Sequence, residues 1–180
     1  MTQNDRDQVL RPPVSEQDHI EGAAQAPITL VAYGDFECPG CGGAYPIVKE
    51  IQQRLGNQLR FVFRHYPLPQ HPHAEHVAEA AEAAGAQGKF WEMHDYLYEH
   101  QNALSDRHLV EDAQTLGLNT TRFTSEMEQG IYASQVAEDI ESGDLSGVQG
   151  TPSFYINGAL YAGSYELPAF LSALEHTDTH

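Results

Sequence analysis

The sequence of 180 residues predicts an α/β fold, in which helices flank a mixed central sheet and an all-helical segment interrupts the sheet-forming part. Three observations support this prediction. A strand, a helix and a second strand follow one another within about forty residues, the order of a βαβ unit with parallel strands. A long run of helical patterns comes next. Strand patterns then return near the carboxyl terminus as a hairpin followed by a helix.

The βαβ unit begins with the apolar, β-branched run Ile28 to Tyr33, which is typical of a buried strand. Apolar residues at helical spacing predict a helix from about Pro39 to Leu55, and Gly56-Asn57 ends it. Leu59 to Arg64 alternates apolar and basic residues, as a strand does. The helix therefore crosses between two strands of one sheet.

The helical segment begins after a proline-rich loop. Ala74 to Gln87 is rich in alanine, and Phe90 to His100 carries aromatic residues at helical spacing. Asp106 is predicted to cap a third helix that Gly117 ends. Further helical stretches continue to about Asp144.

The strand pattern returns at Ser153 to Ile156 and again at Ala159 to Ala162. Asn157-Gly158 lies between the two runs and is the strongest short signal for a β-hairpin. A helix over Leu167 to Leu174 follows.

This order of elements predicts a domain organisation. Residues 1–26 are polar and form an extended or mobile N-terminal extension. Residues 27–66 and 148–176 form the sheet-containing domain, and residues 67–147 form the helical insertion.

Charge excludes two kinds of partner. The chain carries 26 acidic and 9 basic residues, a net charge of −17, so nucleic acid and anionic membrane surfaces repel it. Such a net charge is typical of a highly soluble protein, and the alternative is an acidic face that selects basic clients.

No stretch approaches the roughly twenty apolar residues of a membrane span, so no membrane insertion is predicted. Since residues 1–26 contain no signal-peptide core, the sequence as it stands predicts the cytoplasm. The alternative is an exported protein or domain whose leader, or a larger upstream domain, lies outside this sequence.

Cys38 and Cys41 are the only cysteines, and one short pair closes too small a loop to add much stability. Their value therefore lies in reactivity or in metal ligation. A cysteine at the first turn of a helix meets unpaired N–H groups and the positive end of the helix dipole, which favour the nucleophilic thiolate. Pro39 suits the same turn. We expect an exposed Cys38 that attacks and a more buried Cys41 that resolves the mixed disulfide.

A Cys-x-x-Cys pair also occurs in metal sites, but these usually have a second ligand pair, and this chain has no third cysteine. The nearby His71, His73 and His76 are interpreted as a solvated loop and helix start, so neither a metal nor a cofactor is predicted. Two alternatives to redox chemistry stay open. One is a metal-handling or chaperone-like binding module that uses the cysteines as ligands, and the other is a non-redox protein-binding platform.

Four segments, in this order, resemble the bacterial DsbA-like thioredoxin family: Tyr33 to Cys41, Phe63 to Pro69, Gly88 to His94 and Gly147 to Phe154. The resemblance implies a thioredoxin-like fold with an inserted helical domain. It also implies a thiol–disulfide oxidoreductase that acts on protein thiols and disulfides, together with an unidentified redox partner. It makes Cys38 the nucleophile and Cys41 the resolving thiol.

The same resemblance implies that Pro152 is a cis-proline facing the two cysteines. A cis bond would turn the backbone of Thr151 outward, where it can pair with an extended client chain. The residues alone favour an ordinary trans proline. Thr151 and Pro152 are therefore predicted substrate-binding residues on the strength of the family.

Two positions depart from the family pattern. Gly40 stands where strongly oxidising members carry a histidine that stabilises the thiolate, and Ala32 stands where relatives place a buried acid. Substitution of that acid by Asp35 or Glu37 is an alternative, but both are interpreted as solvated, and Glu37, beside the nucleophile, would raise the thiol pKa. These departures predict an intermediate redox potential and leave oxidase, isomerase and reductase open.

Overall fold

A computed structural model describes the backbone of residues 8–179 and the side chains of residues 8–177. Its sheet has five strands in the spatial order β1-β3-β2-β4-β5, with β2 and β3 parallel and the other neighbours antiparallel. The strands are β1 (His19–Gly22), β2 (Ile28–Gly34), β3 (Leu59–His65), β4 (Ser153–Ile156) and β5 (Ala159–Tyr161).

Seven α-helices accompany the sheet in the described part of the chain. They are α1 (Pro39–Leu55), α2 (Ala74–Gly85), α3 (Phe90–Glu99), α4 (Asp106–Thr115), α5 (Thr120–Glu128), α6 (Ala133–Ser146) and α7 (Leu167–Glu175). Short 3₁₀ turns cover Gly56–Gln58 and His176–Thr179. Helix α1 crosses between the parallel strands, and α2 to α6 lie in the chain between β3 and β4. None of the helices within residues 8–179 has the length and apolar character needed to cross a bilayer.

The predicted fold class is confirmed, and the Asn157-Gly158 turn is confirmed in detail. Both turn residues have positive φ, 48° and 86°, as the two-residue hairpin turn requires. One predicted cap is wrong: Ser105 is the N-cap of α4, and Asp106 is already the first residue of the helix.

The predicted N-terminal extension differs from the structure in one respect, because it contributes a strand. Residues of β1 pair antiparallel with β3, where Ile20 lies opposite Val62. The buried Arg64 binds the preceding segment: its guanidinium donates hydrogen bonds to Asp18 at 2.8 and 3.0 Å and to the Pro12 carbonyl at 2.9 Å. The part of the extension around β1 is therefore fixed to the sheet rather than mobile. Residues 1–7 lie outside the described residues. The wider division into domains stays a prediction.

The larger of the two apolar clusters found in the described residues joins the sheet to the helical segment. Helix α2 is buried on most sides, since its alanines let neighbouring helices approach closely, and Glu79 and Glu82 are buried with them. Helix α3 packs against the sheet through Trp91 and His94, whose rings contact Phe61 and Phe63 of β3. Met93 and Leu97 of the same helix are fully buried in this core. This packing brings the end of α3 to the cysteine pair.

Candidate active site

Cys38 lies at the N-terminus of helix α1, where the sequence predicts it. It is the N-cap residue, with an extended backbone, and Pro39 opens the helix. The Cys38 N–H donates to the Asp35 carbonyl oxygen at 3.1 Å, and the Cys38 carbonyl oxygen accepts from Gly42 at 3.1 Å. The backbone N–H groups of the first helical turn therefore face the Cys38 sulfur.

Both cysteines are free thiols, and both are buried. Cys38 is 6% exposed and Cys41 is 3% exposed, so the expectation of an exposed Cys38 is wrong, although the predicted order of exposure holds. The cause is the half-buried loop of Thr151 and Pro152, which lies against the Cys38 sulfur.

The two thiols differ sharply in acidity. The pKa of Cys38 falls to about 5, because the Cys41 thiol donates to its sulfur and because the Thr151 side chain and the N–H groups of Cys41 and Gly40 add stabilising contacts that together outweigh burial. The pKa of Cys41 rises well above its usual range, because Cys38 and burial both disfavour a second thiolate. At neutral pH Cys38 is a thiolate and Cys41 is a thiol that donates to it.

Thr151 and Pro152 face the cysteines, and the peptide bond between them is cis. The Cys38 sulfur lies 3.6 Å from the Thr151 carbonyl oxygen, a hydrogen bond that only the protonated thiol can donate. Gly40 completes the contact: a Cβ there would lie 3.4 Å from Pro152 Cδ and 3.7 Å from the Cys38 sulfur. A side chain at position 40 would therefore lie beside the Cys38 sulfur and Pro152.

Asp35 is buried, so its interpretation as a solvated residue is wrong. Its carboxylate accepts hydrogen bonds from the N–H groups of Glu37 and Leu68 at 2.8 and 2.9 Å. The His71 Nδ1 lies 2.7 Å from the same carboxylate. Asp35 thereby ties the loop after β3 to the loop that carries Cys38.

The three histidines interpreted as solvated each face a carboxylate. His71 pairs with Asp35 and His76 with Asp106, while His73 Nδ1 lies 3.1 Å from Glu37 Oε2. The hydrogen bond to Asp35 raises the pKa of His71, and the charge of Cys38 adds to that rise. His71 therefore holds its proton more tightly than an ordinary histidine does, and the carboxylate of Glu37 turns toward His73.

A cavity of about 30 Å³ lies behind Cys41, and Ala32 and Tyr98 form part of its wall. Ala32 leaves room where relatives of the family carry an acid, a volume that suits about one water molecule. Burial raises the pKa of Tyr98, with the charges of Cys41 and Asp35 adding to it, so its hydroxyl stays protonated beside Cys41. Tyr98 was not among the predicted site residues, because it lies in the helical segment.

Gln101 is a second residue that the sequence did not predict. Its amide donates hydrogen bonds to the carbonyl oxygens of Phe36 and Cys38, each at 2.9 Å. A Cβ at Gly42 would lie 2.0 Å from Gln101 Oε1, whereas a Cβ at Gly43 would meet no atom within 4 Å. The one available signal is a glycine at position 42, inside a helix, where it is unfavourable unless another group comes close.

The fold and this site define the class of protein. A family model described as Thioredoxin matches residues 14–176, and the chain belongs to that family. Among curated proteins it is similar to Na(+)/H(+) antiporter NhaA 1 from Salinispora arenicola, with 47% identity over 160 residues. The match covers 88% of this chain and 24% of the relative, so the chain spans about a quarter of the length of the relatives it matches.

Solved structures match along nearly the whole chain. A thioredoxin-like oxidoreductase from Silicibacter pomeroyi has a TM-score of 0.82 at 24% identity, covering 97% of this chain and 98% of that one. BdbD from Bacillus subtilis has a TM-score of 0.84 at 22% identity, with 97% and 100% covered. The thiol-disulfide exchange protein alpha-DsbA2 from Wolbachia pipientis has a TM-score of 0.78 at 18% identity, with 97% and 92% covered. The predicted likeness to DsbA-like proteins is confirmed as a likeness of fold.

Proposed function

We propose that the protein is a thiol–disulfide oxidoreductase that exchanges disulfides with protein clients through Cys38 and Cys41. The observation that carries the proposal is the division of acidity between the two thiols. Cys38 has a pKa of about 5 and is ready to attack, while Cys41 keeps its proton until a mixed disulfide forms. The thioredoxin family and the structural likeness to oxidoreductases support this assignment.

In the reducing direction, the Cys38 thiolate attacks one sulfur of a client disulfide and expels the other sulfur as a thiolate. Cys41 then gives up its proton, and its sulfur attacks Cys38, which releases the second client thiolate. The Cys38–Cys41 pair becomes a disulfide, and the client gains two electrons. In the oxidising direction the same steps run in reverse, with an electron acceptor restoring the disulfide.

Thr151 and Pro152 are the proposed client-binding residues, because the backbone of Thr151 lies within 3.6 Å of the Cys38 sulfur. An extended client segment beside Thr151 would bring its own sulfur to Cys38. Gly40 places no side chain beside this approach, and a Cβ there would be in van der Waals contact with Pro152 and the Cys38 sulfur.

The proposed potential is intermediate. A nucleophile pKa of about 5 lies between the values of about 7 for thioredoxin and about 3.5 for DsbA. Because a stabilised thiolate favours the reduced form, the potential should fall between about −270 and −120 mV. Equilibration of the protein with glutathione buffers measures it, and a value near −120 mV would contradict an intermediate potential.

Two assays test the activity itself. Reduction of insulin by dithiothreitol should accelerate with the wild-type protein and return to the uncatalysed rate with Cys38→Ser. Cys41→Ser should instead trap mixed disulfides with clients in cells, because the resolving step is lost. A Cys38→Ser protein as active as wild type would overturn the proposal.

The metal-handling alternative gains no specific support from the geometry. Within residues 8–179, the group of three potential ligand side chains that lie close together does not include the cysteines. Metal analysis of reduced protein purified without added metal tests this alternative. The sequence predicts the cytoplasm as the compartment, with export as the alternative. Fractionation of cells distinguishes the two.

A further inference from the structure

A second group of ionisable side chains lies away from the cysteines, where the sheet meets the helical segment. His65 ends β3, Glu82 belongs to α2 and Asp139 belongs to α6. One ligand atom from each lies within 4.8 Å of the others. We refer to these three residues as the buried cluster. The proposed disulfide exchange uses none of them.

The buried cluster has unmet bonding capacity. His65 is fully buried, and among the described residues neither of its ring nitrogens has a hydrogen-bond partner, nor does Glu82 Oε1. A buried polar atom without a partner costs about 1–3 kcal/mol. His65 Nε2 and Glu82 Oε1 face each other at 3.4 Å, which is an ion-pair distance without hydrogen-bond geometry.

That spacing suits two ligands of one metal ion. Nitrogen and oxygen ligands of Zn²⁺ lie about 2.0–2.2 Å from the ion, and the tetrahedral angle then separates them by about 3.4 Å. His65 and Glu82 therefore have the separation that a shared ion requires. The carboxylate of Asp139 supplies the third candidate ligand, since one ligand atom from each residue lies within 4.8 Å of the others, and a small movement of its side chain would complete the set.

The charges of the buried cluster also favour a cation. Glu82 and Asp139 bring two carboxylates to the buried cluster, and His65 brings an imidazole whose ring nitrogens lack hydrogen-bond partners among the described residues. A second imidazole, that of His19, faces the other oxygen of Glu82. A divalent ion bound by His65 in its neutral form would compensate both acids.

Neighbouring residues hold the ligands in place. His19 Nε2 lies 2.6 Å from Glu82 Oε2, which leaves Oε1 directed at the buried cluster, and the His19 ring stacks on Phe90 at 3.6 Å. The His65 N–H donates to Asp139 Oδ2 at 2.9 Å. Such partners of ligating groups fix their orientation in metal sites.

We propose that His65, Glu82 and Asp139 bind a divalent transition-metal ion of the Zn²⁺ type. One imidazole and two carboxylates suit such ions, whereas Ca²⁺ takes six to eight oxygen ligands and Mg²⁺ keeps several waters. The ion would connect β3 with α2 and α6. Its role is to fix the helical segment to the sheet, so its binding stabilises the folded protein.

The test uses tag-free protein with the Cys38–Cys41 disulfide formed, so that the cysteines cannot act as ligands. Titration of Zn²⁺ against a competing chelator should show one site. Glu82→Gln should weaken binding about 100-fold or more, and His19→Gln about 10- to 100-fold, because it removes only an orienting partner. The control His76→Asn removes a half-exposed histidine elsewhere and should leave the affinity unchanged.

Two further measurements keep the proposal falsifiable if Glu82→Gln does not fold. Zn²⁺ should raise the melting temperature of the wild type and not that of Asp139→Asn. Calorimetric titration with Zn²⁺ should likewise show heat of binding for the wild type and none for Asp139→Asn. No Zn²⁺ binding, equal affinity in a folded Glu82→Gln protein, or binding of Ca²⁺ in preference to Zn²⁺ would overturn the proposal. These outcomes are independent of disulfide exchange, which uses other residues.

Discussion

The side-chain amide of Gln101 donates a hydrogen bond to the carbonyl oxygen of Cys38 at 2.9 Å. Gln101 follows helix α3, so the helical segment directly supports the loop that carries Cys38. The contact is possible because Gly42 has no side chain, and a Cβ there would overlap Gln101 Oε1. The helical segment is therefore part of the site as well as part of the core.

This relationship predicts opposite effects for two adjacent glycines of α1. Gly42→Ala should displace Gln101 and break its hydrogen bonds to Cys38 and Phe36, each worth about 0.5–1.5 kcal/mol. Gly43→Ala meets no atom within 4 Å and should add about 0.5–1 kcal/mol through helix propensity alone. Urea unfolding of both oxidised proteins measures the difference. Equal stability of the two variants would show that Gln101 does not support the loop.

The acidity of Cys38 predicts its reactivity. Because its pKa is about 5 rather than its ordinary value near 9.0, alkylation by iodoacetamide should rise with pH around a midpoint near pH 5 and stay level through pH 7. Cys41 should react only after unfolding, since it is buried and its pKa is raised. Mass spectrometry of the labelled peptides distinguishes the two sulfurs, and a midpoint near pH 8 would contradict the proposed thiolate.

The same pKa links stability of the reduced protein to pH. A thiol whose pKa is lower in the folded state contributes stability that is complete above its unfolded pKa and is lost as pH falls through its folded pKa. For Cys38 this window extends from about pH 9 down to about pH 5. The free energy of unfolding of reduced wild type, minus that of Cys38→Ser, should therefore grow by about 1 kcal/mol per pH unit between pH 6 and 8. A difference that does not change with pH would contradict this linkage.

Local patterns predicted the elements that present the cysteines, because strand β2, helix α1 and the Asn157-Gly158 turn each have a signal within a few residues. Strand β1 escaped prediction for the opposite reason. It is four residues long and carries polar side chains at His19 and Glu21, and its partner β3 lies about forty residues away. Its formation depends on that long-range pairing.

Prediction of the site residues from the sequence also failed where long-range packing decides the structure. Cys38, Gly40 and Pro152 were found from motifs, but the burial of Asp35 was not. A carboxylate between two strand-end loops becomes buried only because Leu68 and His71, more than thirty residues further along, fold onto it. Tyr98 and Gln101 also reach the cysteines through tertiary packing. Their sequence neighbourhood indicates an ordinary helix and its end.

Gly40 offers a direct test of what sets the potential. Gly40→His should fit, since a Cβ at this position makes only ordinary contacts with Pro152 and with the Cys38 sulfur. The imidazole would add a cationic donor beside the thiolate, lower the pKa of Cys38 and make the potential less negative by about 30–60 mV, the equivalent of a ten- to hundredfold change. Gly40→Gln, a neutral side chain of similar reach, is the control and should shift the potential less. Glutathione equilibration measures both, and equal shifts would mean that bulk rather than charge acts there.

The ion pair between His71 and Asp35 also makes the stability of the folded protein depend on pH, with a sign opposite to that predicted for Cys38. Asp35 raises the pKa of His71, so the ion pair contributes stability that is complete below the ordinary histidine pKa of about 6.5 and is lost as pH rises through the folded value. His71→Asn should therefore cost about 1–2 kcal/mol at pH 6, because Asp35 is buried and loses a charged partner, and less at pH 9. His73→Asn is the matched control: half of the His73 side chain is exposed, and an exposed pair with Glu37 is worth about 0–1 kcal/mol. Urea unfolding at both pH values measures these costs. The oxidised proteins are used because they have no Cys38 thiolate to contribute its own pH dependence. A larger cost at pH 9 than at pH 6 would mean that Asp35 accepts from a neutral imidazole, and the raised pKa assigned to His71 would then be wrong.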